Sequence, residues 1–345
     1  MYNYIKNFIN SLFSSDNVDN SNDTILDLKI SNNINISKQP IKIEKPIIRR
    51  DLFDNNYYFK YLFTTDNDEY KFCSMQESVN KDFIIHKKNL VRNSTKLFKH
   101  IYLNNKHIYK SCYYNNKQSY IHIIRYLKNN KIPNIILPEE IYEEMLSASN
   151  SNTKKILQII PYKKYGDLFT YVTSNKFKHY EIYAIFYKLV SIIKDLHTLN
   201  VSHRDIKLEN ILIDFLPNLE LYLIDFEFAN HYSDYSRFYG GTEQYAAPEL
   251  FSKNKKINNY KCVDIWALGV VLYILIFNIM PWKVANTNIC EYYYNFVADP
   301  MHFYNSLDTI NIPSTHKLIY TKILKYCFNL NHTKRTDINY IFNLL

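Results

Sequence analysis

The chain predicts an α+β fold of two lobes, a small β-rich N-lobe followed by a larger helical C-lobe. Two observations predict it. Short β-like runs crowd the stretch from Asp82 to Cys112, and helical periods fill the second half from Ile182 onwards. A chain of 345 residues is long enough for two cores. At 47% hydrophobic and 22% charged it reads as globular, which excludes a wholly disordered chain.

Residues 1–56 are polar, rich in Asn and Ser, and without a sustained period, so they read as a low-complexity, disordered extension. Within them Tyr4, Ile5, Phe8, Ile9 and Leu12 have the spacing of one short amphipathic helix. Residues 57–81 hold more aromatics and read as a segment packed on the first lobe. The N-lobe is expected over 82–160. Its strands are Phe83–His86, Leu97–Leu103 and, after the turn Asn104-Asn105-Lys106, His107–Cys112. A helical period follows from Tyr120 to Leu127, then the turn-like Ile132–Ile136, a polar insertion from Ser147 to Lys155, and a strand at Ile156–Ile160. The C-lobe is expected over 161–345, with helices at Ile182–Thr198, Val263–Phe277 and from near Thr336.

The apolar run from Ile265 to Met280 falls short of a bilayer span, is flanked by Asp264 and is interrupted by Asn278. It reads as a fully buried helix, and no transmembrane segment is expected. Five Cys stand at 73, 112, 262, 290 and 327 with no C-x-x-C pair, which suggests neither a disulfide framework nor a zinc site. The N-terminus has no signal-peptide pattern. These features point to an intracellular, cytoplasmic setting. Heavy use of Asn, Ile, Lys and Tyr suggests an AT-biased genome of a parasite or large virus, so that the cytoplasm could be a host's. The formal net charge is +9, and no acidic residue occurs between Asp82 and Glu139. A solvated basic face explains this; a nucleic-acid or anionic-membrane surface involving Lys96, Lys99 and Lys106 is the rival.

The chemistry concentrates in His203-Arg204-Asp205-Ile206-Lys207-Leu208-Glu209-Asn210, with a second carboxylate in Leu223-Ile224-Asp225-Phe226. One carboxylate to take a hydroxyl proton, a Lys two positions on, an Asn five on and a second Asp form a set suited to phosphoryl transfer from a Mg-nucleotide. In order downstream come Gly241-Thr242, Ala247-Pro248-Glu249, Asp264-Ile265-Trp266-Ala267-Leu268-Gly269 and Arg335. From Asp82 to Leu345 the series resembles the eukaryotic-type protein kinase family, and Lys207 with the Gly241-to-Glu249 run resembles its Ser/Thr branch.

The resemblance implies a Ser/Thr protein kinase using ATP and Mg2+ on protein hydroxyls. It makes Asp205 the catalytic base, Lys207 the residue beside the transferred phosphate, and Asn210 and Asp225 the metal ligands. Glu249 and Arg335 would form a buried ion pair, and Asp264 would brace the backbone at His203-Arg204. The implied nucleotide contacts are Lys110 (with Lys87 and Lys88 as rivals), Leu90, Phe98, the gatekeeper Ile160, Lys163 and Asp167.

Three departures favour a rival reading, a pseudokinase acting as scaffold or allosteric regulator. Gly166 is the first of only four glycines, so no glycine-rich phosphate loop exists; Leu90 to Lys96 takes its place. The helix C glutamate is replaced by Ile123 or His122, unless Glu139 to Leu146 is that helix. Glu227 stands where the family has Gly after Asp225-Phe226. The usual activation-loop acceptor falls at Phe238, with Ser233, Ser236 and Tyr239 nearby, so Arg204 has no obvious phosphate to grip and the loop is expected to order by its own packing.

Overall fold

A computed structural model of the protein describes residues 47–51, 59–64, 69–74, 83–86, 90–94, 99–103, 107–114, 117–145, 154–163, 166–174, 177–214, 218–231, 241–252, 257, 259–309 and 311–345. The chain divides into two compact units, one formed by Met1–Asn115 with Glu140–Tyr162, the other by Asn116–Glu139 with Lys163–Leu345.

The described part of the first unit is a nine-stranded antiparallel sheet. Its strands are β1 (Ile47–Asp51), β2 (Phe59–Thr64), β3 (Glu69–Ser74), β4 (Phe83–His86), β5 (Leu90–Ser94), β6 (Lys99–Leu103), β7 (His107–Tyr114), β8 (Glu140–Met145) and β9 (Lys154–Pro161). They lie in the order β4-β3-β2-β1-β8-β9-β7-β6-β5. The sheet corrects several expectations. A strand occurs at Ile47–Asp51, inside the stretch expected to be disordered, because five residues in an Asn-rich background are too few to show a period. Phe83–His86 pairs with β3 and not with the strands that follow it.

The expected loop at Leu90 to Lys96 begins as strand β5, bulged between Leu90 and Arg92 and paired with β6. Arg-Asn-Ser has little strand preference of its own, and cross-strand pairing overrides it. Glu139 to Leu146 is not a helix: β8 occupies Glu140–Met145 between β1 and β9, with Ile141 buried. Residues 1–46, Lys87, Lys88, Lys96, Phe98, Lys106, Ser233, Ser236, Phe238 and Tyr239 lie outside the described residues.

The second unit opens with α1 (Lys117–Asn130), which aligns Tyr120, Ile123, Ile124 and Leu127 on one buried face at helical spacing. The chain leaves α1 through Lys131 and Asn134, both at positive φ. Ile136 N–H then donates to Leu223 O at 2.9 Å, and Leu223 N–H to Asn134 O at 3.0 Å. The remaining elements are β10 (Gly166–Asp167), α2 (Leu168–Ser174), α3 (His179–Thr198), β11 (Val201–Ser202), β12 (Ile211–Asp214), β13 (Glu220–Leu223), β14 (Asn230–His231), α4 (Lys261–Phe277), α5 (Glu291–Ala298), α6 (Pro300–Asn305), α7 (Ser314–Cys327) and α8 (Ile338–Leu344).

Helix α4 accounts for the membrane-like run. Every residue from Cys262 to Leu275 is buried, so the helix is apolar all round because protein covers all its faces. It stops where Asn278 turns left-handed (φ 59°) and returns its N–H to Ile274 O at 2.7 Å. Among the described residues no helix is long and apolar enough to cross a membrane. Around α4 the rings of Trp266, Trp282, Phe296 and Phe328 pack at 4.8–6.0 Å between centroids.

Gly269 lets α7 approach α4 closely. A Cβ there would sit 2.6 Å from Cys327 Cβ and 2.8 Å from Phe328 Cε1. Gly269→Val is therefore expected to destabilise the protein by about 1–3 kcal/mol through overpacking, read as a lower urea midpoint at unchanged slope. An unchanged or higher midpoint would contradict the close helix contact.

Candidate active site

The site residues of the second unit follow α3. Its buried face, including Ile182, Ile185, Phe186, Leu189 and Ile193, carries the chain to β11, which pairs with β14 through Val201 opposite His231. The His203-to-Asn210 loop leaves β11, and the β12–β13 hairpin returns the chain to Asp225.

Asp264, at the start of α4 and 1% exposed, organises the loop. Its Oδ2 accepts His203 N–H at 2.9 Å, its Oδ1 accepts Arg204 N–H at 2.8 Å, and His197 Nε2 lies 2.9 Å from Oδ2. Arg204 needs the support because its φ of 67° is left-handed for a residue with a Cβ. His203 is oriented by its own bonds. Asp205 N–H donates to Nδ1 at 3.3 Å, which leaves the other ring nitrogen as N–H to donate to Ile224 O at 3.0 Å. The His203 ring also meets Phe226 edge-on at 4.8 Å.

Asp205 is nearly buried, and both its oxygens are engaged. Asn210 Nδ2 donates to Asp205 O at 2.8 Å and to Oδ2 at 3.0 Å. Lys207 Nζ lies 2.9 Å from Oδ2 and donates to Thr242 Oγ1 at 2.8 Å; Thr242 in turn donates to Asp205 Oδ1 at 3.1 Å. The turn that presents Thr242 needs Gly241, whose φ is 96°. With the Asn210 amide nitrogen committed to Asp205, its Oδ1 is left as an oxygen donor. Ile224 N–H donates to Asn210 O at 3.0 Å, which ties the segment bearing Asp225 to the same loop. Oxygen from one amide and one carboxylate suits a hard cation such as Mg2+, which binds through few protein ligands and completes its shell with phosphates and water.

Several neighbours deepen this arrangement. Arg204 is buried; it donates from Nη2 to His231 O at 2.8 Å and lies 3.9 Å above the Tyr260 ring. Rings of α1 reach the same residue, with His122 5.9 Å and Tyr126 5.3 Å from the His231 ring. No carboxylate occurs on α1, and Ile123 is wholly buried. Glu227 is half-buried in the turn Phe226–Phe228, and the positive φ falls on Asp225 (67°), so the position of Glu227 does not require glycine in this conformation. The Tyr245 hydroxyl is pushed to a higher pKa by burial and then by the Glu209 carboxylate.

Below the loop, Arg335 pairs with Glu249, and its Nε donates to Cys262 O at 3.1 Å. Both ionic partners are buried, and Trp266 lies 5.0 Å from the guanidinium. The Cys262 thiol, 3.4 Å from Glu249 Oε1, is held well above its usual pKa by burial and by that carboxylate.

Asp205, Lys207, Asn210 and the segment bearing Asp225 thus come together within one unit. Of the other expected positions there, Asp167 accepts Thr170 N–H at 2.7 Å and caps α2, while Lys163 is exposed with its Nζ 5.7 Å from the Tyr222 ring centroid. In the first unit Lys110 lies on β7 opposite Ile101 and Gln158 and is buried, unlike a surface strand lysine. Leu90 pairs with Tyr102 at the start of β5, and Ile160 is half-buried opposite Ile108. His197 carries no motif of its own. A histidine at the buried end of an amphipathic helix reads as core, and only its contact with Asp264 reveals its part in the site.

Comparison with known proteins supplies the family. Residues 87–344 match the protein kinase domain, so the chain belongs to the protein kinase family. It is 34% identical over 167 residues to serine/threonine-protein kinase SIK1 of Rattus norvegicus, covering 47% of this chain and 20% of the relative. It is 33% identical over 171 residues to NUAK family SNF1-like kinase 2 of Homo sapiens, covering 48% and 25%. It is 35% identical over 176 residues to CBL-interacting serine/threonine-protein kinase 2 of Arabidopsis thaliana, covering 49% and 35%. The matched stretch is thus between a fifth and about a third of these relatives' own length.

Removing one half of the Arg335–Glu249 pair leaves a buried charge uncompensated. Arg335→Met is expected to cost about 3–5 kcal/mol, and the double change Arg335→Met with Glu249→Met to recover most of that loss. Chemical denaturation of the three proteins measures both; a double variant no more stable than the single would refute the charge argument.

Proposed function

We propose that this chain is a Ser/Thr protein kinase that transfers the γ-phosphoryl group of Mg-ATP to protein hydroxyls. The observation that carries the reading is the hydrogen-bonded set around Asp205, in which Lys207, Asn210 and Thr242 all converge on one carboxylate. The names of the aligned relatives support the Ser/Thr class.

Asp205, held by Asn210 and Thr242, orients the acceptor hydroxyl and takes its proton. Its remaining lone-pair positions are those a substrate hydroxyl meets, so its orientation costs little at the moment of reaction. Lys207 supplies positive charge beside the transferred group. Asn210 Oδ1 and Asp225 are the proposed Mg2+ ligands, and the ion when bound neutralises charge on the phosphates. Lys110, Leu90, Phe98, Ile160, Lys163 and Asp167 are the proposed nucleotide contacts. An intracellular setting and protein substrates complete the proposal.

Incorporation of labelled phosphate from ATP into a mixed protein substrate tests it. Asp205→Asn is expected to lower the rate by about 10²–10⁴-fold, EDTA to abolish it, and the label to appear on Ser and Thr. Equal incorporation by both proteins would overturn the assignment of Asp205. No incorporation by either would favour the scaffold reading that the missing glycine-rich loop suggests. Thr242→Val removes the donor to Asp205 Oδ1 and is expected to lower kcat with little change in the KM for ATP; a change confined to that KM would contradict the role given to Thr242.

A further inference from the structure

Among the described side chains of the nine-stranded sheet, only Lys110 and Gln158 are both polar and buried, at 8% and 2% exposed. They are direct cross-strand partners, since β7 and β9 run antiparallel with Lys110 opposite Gln158. Residues placed directly opposite project to the same face, with Cβ atoms about 4.5–5.5 Å apart, a gap that a lysine and a glutamine close easily. On its other side Gln158 stands opposite Ile141 of β8, which is wholly buried, and Ile156 and Ile160 lie two positions away along β9. Lys110 stands opposite Ile101 of β6, with Ile108 and Cys112 two positions away along β7. Of these register neighbours only Gln158 presents a strong acceptor to the Lys110 ammonium, and only Lys110 presents a charged donor to the Gln158 amide.

Burying an ammonium or an amide is costly unless its polar atoms are hydrogen-bonded, so a glutamine among isoleucines is a liability unless the lysine uses it. The α1 sequence has no glutamate to take the part of the helix C residue. We propose that Gln158 is a positioning residue, whose amide oxygen accepts a hydrogen bond from the Lys110 ammonium and sets that group for a nucleotide phosphate. A neutral amide orients the lysine without cancelling its charge. The phosphate part of the inference rests on the kinase reading, whereas the Lys110–Gln158 bond rests on the sheet alone.

Titration of Mg-ATP into the full-length chain by calorimetry, together with NMR of the chain labelled with 15N-lysine, tests the two parts. Gln158→Leu has no acceptor and is expected to bind Mg-ATP roughly tenfold more weakly, as fits the loss of a hydrogen bond to a charged group. Gln158→Glu keeps an acceptor oxygen at the same reach and should recover most of the affinity. In a Lys110→Met background, Gln158→Leu should cost nothing further, because the residue acts through the lysine. The Lys110 ammonium signal, identified by its disappearance in Lys110→Met, should be displaced or lost in Gln158→Leu and persist in Gln158→Glu. Affinity untouched by Gln158→Leu overturns the positioning role, and so does an equal loss in the Lys110→Met background or a failure of Gln158→Glu to recover binding. An ammonium signal unchanged in Gln158→Leu overturns the bond itself. Absence of Mg-ATP binding by wild type would count against the kinase reading and the phosphate role together, and the NMR comparison then decides the bond by itself. Should Gln158→Leu fail to fold, Gln158→Met, which keeps the length and offers only a weak acceptor, takes its place.

Discussion

Asp264 is the constraint on which the His203-to-Asn210 loop depends. A carboxylate 1% exposed is costly to bury unless its lone pairs are met, and here they are met by two consecutive backbone N–H groups and the His197 ring. The bonds run both ways in effect. They make the ion tolerable inside the fold, and they hold Arg204 in a left-handed conformation that its Cβ disfavours. That reversal of the chain sends the Arg204 side chain towards Tyr260 and His231 while Asp205 meets Asn210, Lys207 and Thr242. Rigid placement of this kind is what a site for group transfer needs, because the oriented groups act without reorganising when charge develops.

The same economy appears around α1. The family resemblance leads one to expect a carboxylate on this helix, and the chain has an isoleucine and a histidine at the candidate positions. Ile123 is buried in the core instead of being exposed as an orphaned apolar group, and His122 approaches His231. The segment after α1 is bonded to β13, two residues before Asp225. Apolar burial and ring contacts therefore fix α1 in the helical unit. Glu227 shows the same tolerance: the strained backbone falls one position before Phe226, so a larger side chain is accommodated after it.

Much of the second unit was legible from residue order. The motif from His203 to Arg335 carries its own spacing, and the apolar period of α3 and the all-apolar α4 are strong local signals. The sheet was less legible. β5 contains Arg-Asn-Ser and pairs for reasons that lie in β6, and Ile47–Asp51 acquires strand form only from β2 and β8. Short strands take their identity from partners distant in sequence, which no local window contains. His197 was hidden for a related reason: its partner is 67 residues away, and nothing near it in the chain announces a buried carboxylate.

Arg204 bears on how such a protein is switched off. A loop phosphate controls a kinase when an arginine waits for it in water and relaxes once the phosphate is cleaved. Here the guanidinium is already sandwiched by the Tyr260 ring and bonded to the His231 carbonyl. The arginine is therefore held by its own fold, and any incoming anion would have to compete with the ring and the carbonyl for it.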